Sequence, residues 1–228
     1  MSPMIKTDAE KKFEQYRESL HQEITNMACY IRLYTRLHER GADRLDEMNI
    51  APAFFQIVIN ALLTAIVLWV DKLFGERSER GLMHFLSFVE NNRELLDIKE
   101  LQRRNNYPAD HWFLRDRKAI TLKTIQDDRE RLRQIGSLPS FRLRRNTFLA
   151  HFDKEYFFDR EKLYKDAPIL WSDLEEVLKL AKEVLNNYSV DYDGREFDIE
   201  PWNVTDVDMV LDILHRHRKQ RLNGDEKA

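Results

Sequence analysis

A single cysteine, Cys29, stands in the whole chain, and one thiol makes neither an internal disulfide nor a multi-cysteine metal site. Glycine and proline are scarce too, six of each, so long stretches run without a helix breaker. There is no Gly-rich phosphate loop, no Gly-x-Ser-x-Gly elbow and no His-Glu-x-x-His helix. Their absence removes the usual sequence marks of nucleotide hydrolases, serine hydrolases and zinc proteases. The one close histidine pair, His215 and His217, is two residues apart, where helical side chains diverge by about 200°. Basic surface is therefore expected there, and no metal site. Met1 to Lys12 is polar and charged, unlike the basic-then-apolar pattern of a secretory leader. With the lone thiol, that makes a reducing cytoplasmic setting the expectation.

What remains is charged, helix-forming sequence. Charged residues make up 34% and hydrophobic ones 43% of 228 residues, enough chain to bury a core as one domain. Thr7 and Glu10 have the spacing of a capping box, and Phe13, Tyr16, Leu20, Ile24, Met27, Ile31 and Tyr34 recur every three or four residues. They predict a helix from Thr7 to about Arg40, with Gly41 as its stop. Pro52 opens a second, Ala53 to Phe74. Further helices are expected over 78–91, from about Asp116 to Ile135, after Ser140 as an N-cap, from a capping box at Ser172 to about Tyr188, and from Thr205 toward Arg221. Asn105 to Pro108 reads as a loop, and Ser189 to Pro201 as irregular or briefly extended. The expected class is all-α: a bundle of about six or seven helices in one domain over 1–228, with a core over about 10–190 and a C-terminal helix over about 204–222.

The stretch Ala53 to Val70 carries no charge and approaches membrane-spanning length. Gln56, Asn60 and Thr64, however, fall four apart and draw a polar line down one face, and no basic or aromatic flanks mark two interfaces. A central helix packed on most sides, with no membrane partner, is the expectation. The polar line, Asn60 included, then faces a cavity or a dimer seam, or is satisfied by neighbouring helices.

Charge is uneven. The net balance is −3, yet Arg115 to Arg145 holds ten basic residues against four acidic ones, a local +6. Such a block attracts a phosphate backbone or forms a solvated face of charge pairs. It leads into Arg144-Arg145-Asn146-Thr147-Phe148-Leu149-Ala150-His151. An imidazole titrating near neutrality can pass protons, and a forked guanidinium can hold an anion such as a phosphate. Asn146 adds an amide that orients without titrating. At 100° per residue Arg145 and His151 lie roughly 120° apart on an α-helix, whereas Arg144 and His151 fall within about 20°. Helical phase thus favours Arg144.

The run Arg145 to His151, with five residues between, resembles the Arg-x(four to six)-His motif of the HEPN superfamily. The polar Asn146 and the Ala150 before the histidine agree with it. The long first helix, the apolar helix ending Asp71-Lys72-Leu73-Phe74, and Ala150-His151-Phe152-Asp153 resemble the abortive-infection AbiU-type branch over about residues 10–190. The resemblance implies a metal-independent, cofactor-free endoribonuclease acting in phage defence or as a toxin, cleaving RNA by attack of the 2′-hydroxyl. It implies a homodimer with a composite site, an RNA substrate and an antitoxin protein as partner. It favours Arg145, His151 and Asn146 as site residues, with Arg144, Asp153 and Asn60 in reserve. Toxins of this kind paired with a minimal nucleotidyltransferase often carry a tyrosine two residues after the histidine. Here Asp153 stands there, the nearest tyrosine being Tyr156, so control by tyrosine modification is not implied. Two other readings fit the residues: a catalytically silent helical module that binds RNA or protein, and a non-enzymatic helical dimer scaffold.

Overall fold

The computed structural model describes residues 6–115, 117–150, 156 and 158–225. Those residues form α1 (Asp8–Asp43), α2 (Leu45–Met48), α3 (Pro52–Phe74), α4 (Leu82–Asn91), a 3-10 turn (Arg93–Leu96), α5 (Ile98–Asn105) and α6 (Trp112–Arg115). Then come α7 (Leu122–Arg133), α8 (Leu138–Arg144), a π-helical turn (Arg145–Ala150), α9 (Arg160–Asp166), α10 (Trp171–Asp193) and α11 (Asp206–Asp225). No strand occurs among the described residues. The fold is all-α as expected, but with eleven α-helices among those residues, not six or seven. The extra four, α2, α5, α6 and α9, are one or two turns long, too short to show a period.

The capping box of α1 forms as expected: Thr7 Oγ1 accepts from Glu10 N at 3.2 Å, and Glu10 Oε2 accepts from Thr7 N at 2.8 Å. The helix runs through Gly41 to Asp43, because a single glycine costs a helix only about 1 kcal/mol. Phe13, Leu20, Ile24, Met27 and Ile31 face a core shared with α3, α4, α7, α8 and α10. A second apolar cluster joins Leu37, Met48, Phe55 and Leu62 to Leu211 of α11. There the apolar contact is slight, and α11 is also tied by charge: Asp208 takes Arg36 at 2.5 Å and Arg40 at 2.7 Å, Asp212 takes Arg44 at 2.7 Å, and Glu47 takes His215 Nδ1 at 2.6 Å.

Several other helix boundaries move from their expected places: α4 opens at Leu82 and not at 78, and α7 at Leu122 and not near Asp116. Leu138, not Ser140, opens α8. At α10 the box residue is Asp173, whose carboxylate accepts from Leu170 N at 2.6 Å, so Ser172 lies inside the helix. The same helix continues past Tyr188 to Asp193, carried by Tyr188 and Tyr192, both fully buried. Tyr192 stacks on Phe13 with ring centroids 4.5 Å apart. Tyr188 donates to Asp128 at 3.0 Å, and burial pushes its phenol well above the ordinary range, so it stays a donor. Gly194 ends α10 at φ 77, a left-handed position where a Cβ would also press on Phe113 at 3.3 Å.

Helix α3 is not packed on most sides. One face carries Phe55, Leu62, Ile66, Val70 and Leu73 into the core, while Phe54 and Ile57 are 59% and 66% exposed. Among the described residues it is the one helix long and apolar enough to cross a membrane. Its uncovered side reads Phe54, Ile57, Ala61, Thr64, Leu68, in alternating steps of three and four, and the next step lands on Asp71. Thr64 is partly covered; the others are exposed. That is the spacing of a two-helix seam.

Candidate active site

The C-terminal end of α3 and the junction of α8 with the π turn meet in a cleft of about 380 Å³. Its lining comprises Asp71, Lys72, Glu76, Arg77, Arg142 and Arg145, with Gly75 and Ser78. Two glycines allow the tight connection from α3 to α4 beside this cleft. A Cβ on Gly75 would lie 2.4 Å from the carbonyl oxygen of Asp71, and one on Gly81 would lie 2.7 and 2.8 Å from those of Lys72 and Leu73. The chain therefore turns tightly over the end of α3 and leaves Arg77 on its outer side.

The adjacent arginines of the motif go to different places. Arg145 reaches the cleft, where its Nη2 donates to Asp71 Oδ1 at 2.9 Å. Its side chain is 38% exposed, and its Nη1 has no acceptor among the described residues. Arg144 turns inward. It is 9% exposed, its Nε donates to the Ala167 carbonyl at 2.6 Å, and its guanidinium lies 5.0 Å over the ring of Tyr164. Desolvation pulls its pKa below the usual arginine value, against the opposing pull of the Tyr164 and Tyr34 phenols.

From Arg145 onward the backbone leaves the α register for a π turn, a rare form that recurs at functional sites. A wider turn winds fewer degrees per residue, so the α-helical phase that favours Arg144 does not hold here. Thr147 Oγ1 donates to Leu143 O at 2.6 Å across the change of register. Asn146 is exposed and does not line the cleft. Asn60 is exposed as well, accepting from Gln56 Nε2 at 3.3 Å, and lies eleven residues before Asp71, about 16 Å along α3. It is remote from the cleft. His151 and Asp153 fall outside the described residues.

The basic block does not form one patch. Arg117 pairs with Asp191, and Arg131 with Asp128 and Glu183, toward α10. Arg129 and Arg133 instead line a second cleft, and Arg142 and Arg145 line the first. No group of three His, Cys, Asp or Glu side chains stands together as a metal ligand set among the described residues. Asp71 and Arg77 did not stand out as site residues in the sequence. The signal for Asp71 is its place as the next step of the α3 stripe.

No curated protein and no solved structure matches the chain. One family model does, the HEPN family described as AbiU2, over residues 10–210. The match takes in the long first helix, the apolar α3 and the whole Arg144–His151 run. The chain belongs to the AbiU2 family of HEPN proteins.

Proposed function

We propose that the protein is a metal-independent endoribonuclease of phage defence or toxin type, active as a two-fold dimer. Arg145 is its phosphate-binding arginine and His151 its proton-transferring residue. The observation that carries this reading is the placement of Arg145. Its guanidinium stands half-exposed in a cleft, oriented by Asp71, on the turn that leads six residues on to His151. Arg144 is spent on the Ala167 carbonyl and is not available to a substrate.

The chemistry runs as follows. The 2′-hydroxyl of one nucleotide loses its proton and attacks the adjacent phosphorus, and the bond to the following 5′-oxygen breaks. The products are a 2′,3′-cyclic phosphate and a 5′-hydroxyl. His151 moves a proton at one of these oxygens, and Arg145 stabilises the extra negative charge on the pentacoordinate phosphorus. The free face of Arg145 suits the second role, because a forked guanidinium can hold Asp71 on one side and phosphate oxygens on the other. Asn146 beside it is exposed and so open to the ribose or to a partner protomer. The uncovered stripe of α3 supports the dimer, since a second copy seated along Phe54 to Leu68 reaches Asp71 and the mouth of the cleft.

The test is an RNA-cleavage assay in EDTA with end-group analysis. The parent should give cyclic phosphate ends. His151→Ala should lose on the order of 10²–10⁴-fold in rate, and Arg145→Ala on the order of 10²–10³-fold. Strict need for a divalent metal would overturn the mechanism, and full activity of His151→Ala would overturn the assignment. RNA binding without cleavage would make the protein a silent RNA-binding module.

A further inference from the structure

The cleft that holds Arg145 has a neighbour. Glu76 lines it and also lines a second cleft of about 510 Å³, with His84, Ser87, Gln126, Arg129, Glu130 and Arg133 along α4 and α7. The two compartments share the Glu76 wall, with Arg133 Nε 3.6 Å from that carboxylate, so a ligand that fills both makes one channel of them.

Their charges differ. The near compartment sets Lys72, Arg77, Arg142 and Arg145 against Asp71 and Glu76. Only Arg145 among these cations is paired with a carboxylate among the described residues. Arg77 and Arg142 are exposed and unpaired there, and Lys72 lies 4.3 Å over the Trp69 ring. Unpaired cations in a concave wall have no folding role to explain them, and they fit a chain of phosphates. In the far compartment Arg129 and Arg133 meet Glu76 and Glu130, and Arg129 is occupied by Glu90 at 2.6 Å. Charge is balanced there. What the far wall offers is an exposed imidazole, His84, whose ring lies 6.0 Å from that of Tyr16, and the exposed amide of Gln126. A flat ring beside an amide that both donates and accepts is equipment for a nucleobase.

We propose that a single RNA strand occupies this channel, the phosphates beside the scissile one on Lys72, Arg77 and Arg142, and a neighbouring base against His84 and Gln126. A single strand is the ligand because a base can stack on His84 and bond Gln126 only when it is unpaired, and a duplex keeps its bases stacked inside. The proposal rests on the ribonuclease reading for its scissile phosphate, but it concerns binding and is measured apart from cleavage.

The experiment uses the full chain and a fluorescein-labelled 2′-O-methyl single strand, which cannot be cleaved because the attacking hydroxyl is blocked. Binding is followed by anisotropy over a salt series. Arg77→Gln with Arg142→Gln should weaken binding across sequences and flatten the plot of log affinity against log salt by about 1.4, at 0.7 per phosphate contact. His84→Ala should weaken binding and leave that slope unchanged. Both variants should keep the parent's melting temperature, since their side chains are exposed. The same affinity and slope in the double variant would overturn the proposal. So would an absence of RNA binding by the parent, or equal displacement of RNA by polyglutamate, which would give the channel to an acidic protein. A parent that binds through these arginines but cleaves nothing keeps the channel and loses the nuclease reading. A parent that cleaves, beside a double variant with unchanged KM, does the reverse.

Discussion

Asp71, on the last turn of the most apolar helix, holds Arg145 Nη2 at 2.9 Å, so the end of α3 fixes the first residue of the π turn. Both side chains are partly exposed, 25% and 38%, and such a pair contributes under about 1 kcal/mol to stability. Its consequence is positional. Asp71→Asn should leave the melting temperature almost unchanged and lower kcat by roughly 10- to 100-fold with little change in KM, because a misplaced guanidinium loses the transition state and not the substrate. Asp71→Glu should restore part of the rate. Equal kcat in Asp71→Asn and parent would show that Arg145 needs no such support.

The neighbouring arginines should separate cleanly by readout. Arg144 is buried and holds the Ala167 carbonyl, so Arg144→Met should destabilise the fold by about 1–3 kcal/mol by leaving that acceptor unpaired. Arg145→Ala should leave stability nearly intact and remove cleavage. Chemical denaturation of the two variants beside the parent measures both. An Arg144→Met protein as stable as the parent would refute the packing role.

The stripe on α3 predicts the assembly. Sedimentation of the parent at micromolar concentration should give a dimer, and Phe54→Lys with Ile57→Lys should give a folded monomer. Those two side chains are 59% and 66% exposed within one chain, so charging them leaves the protomer's own core alone. A parent that stays monomeric throughout that range would rule out the α3 seam.

Acid should loosen α11 first. The Arg36 hydrogen bond, opposed by desolvation and reinforced by Arg40, holds Asp208 below the ordinary aspartate value, and the His215 hydrogen bond does the same for Glu47 against its own desolvation. Groups lowered on folding contribute stability that is complete above their unfolded values, near 4, and is lost as pH falls through the lower folded ones. Limited proteolysis from pH 7 to pH 3 should therefore release the C-terminal segment before the rest of the chain opens. Asp208→Asn should bring that release to neutral pH. Simultaneous loss of all helices on acidification would contradict a charge-tethered α11.

The parts legible in the sequence were those governed by local rules. Thr7 and Glu10 announced the cap of α1, the Phe13 to Ile31 spacing its buried face, and Pro52 the start of α3. The failures have tertiary causes. Tyr188 and Tyr192 carry α10 onward because distant partners, Asp128 and Phe13, bury them. Nothing local in Ala53 to Leu68 says which apolar face stays uncovered. At the candidate site the motif was legible, but the choice between Arg144 and Arg145 was not, because a change to π register is invisible to a count of 100° per residue.

One pairing spans nearly the whole chain. Arg17 of α1 meets Asp193 of α10 at 2.6 Å across 176 residues, beside the stacked Phe13 and Tyr192. At 5–20 residues per second, a ribosome takes roughly 9 to 35 s to make that stretch. For that time the aromatic face of α1 lacks its last wall, whatever α3 and α4 already cover. A nascent or truncated chain ending before α10 has its motif helix but not the core that supports it. Synthesis of α10 is then a checkpoint on when the core of this protein first closes.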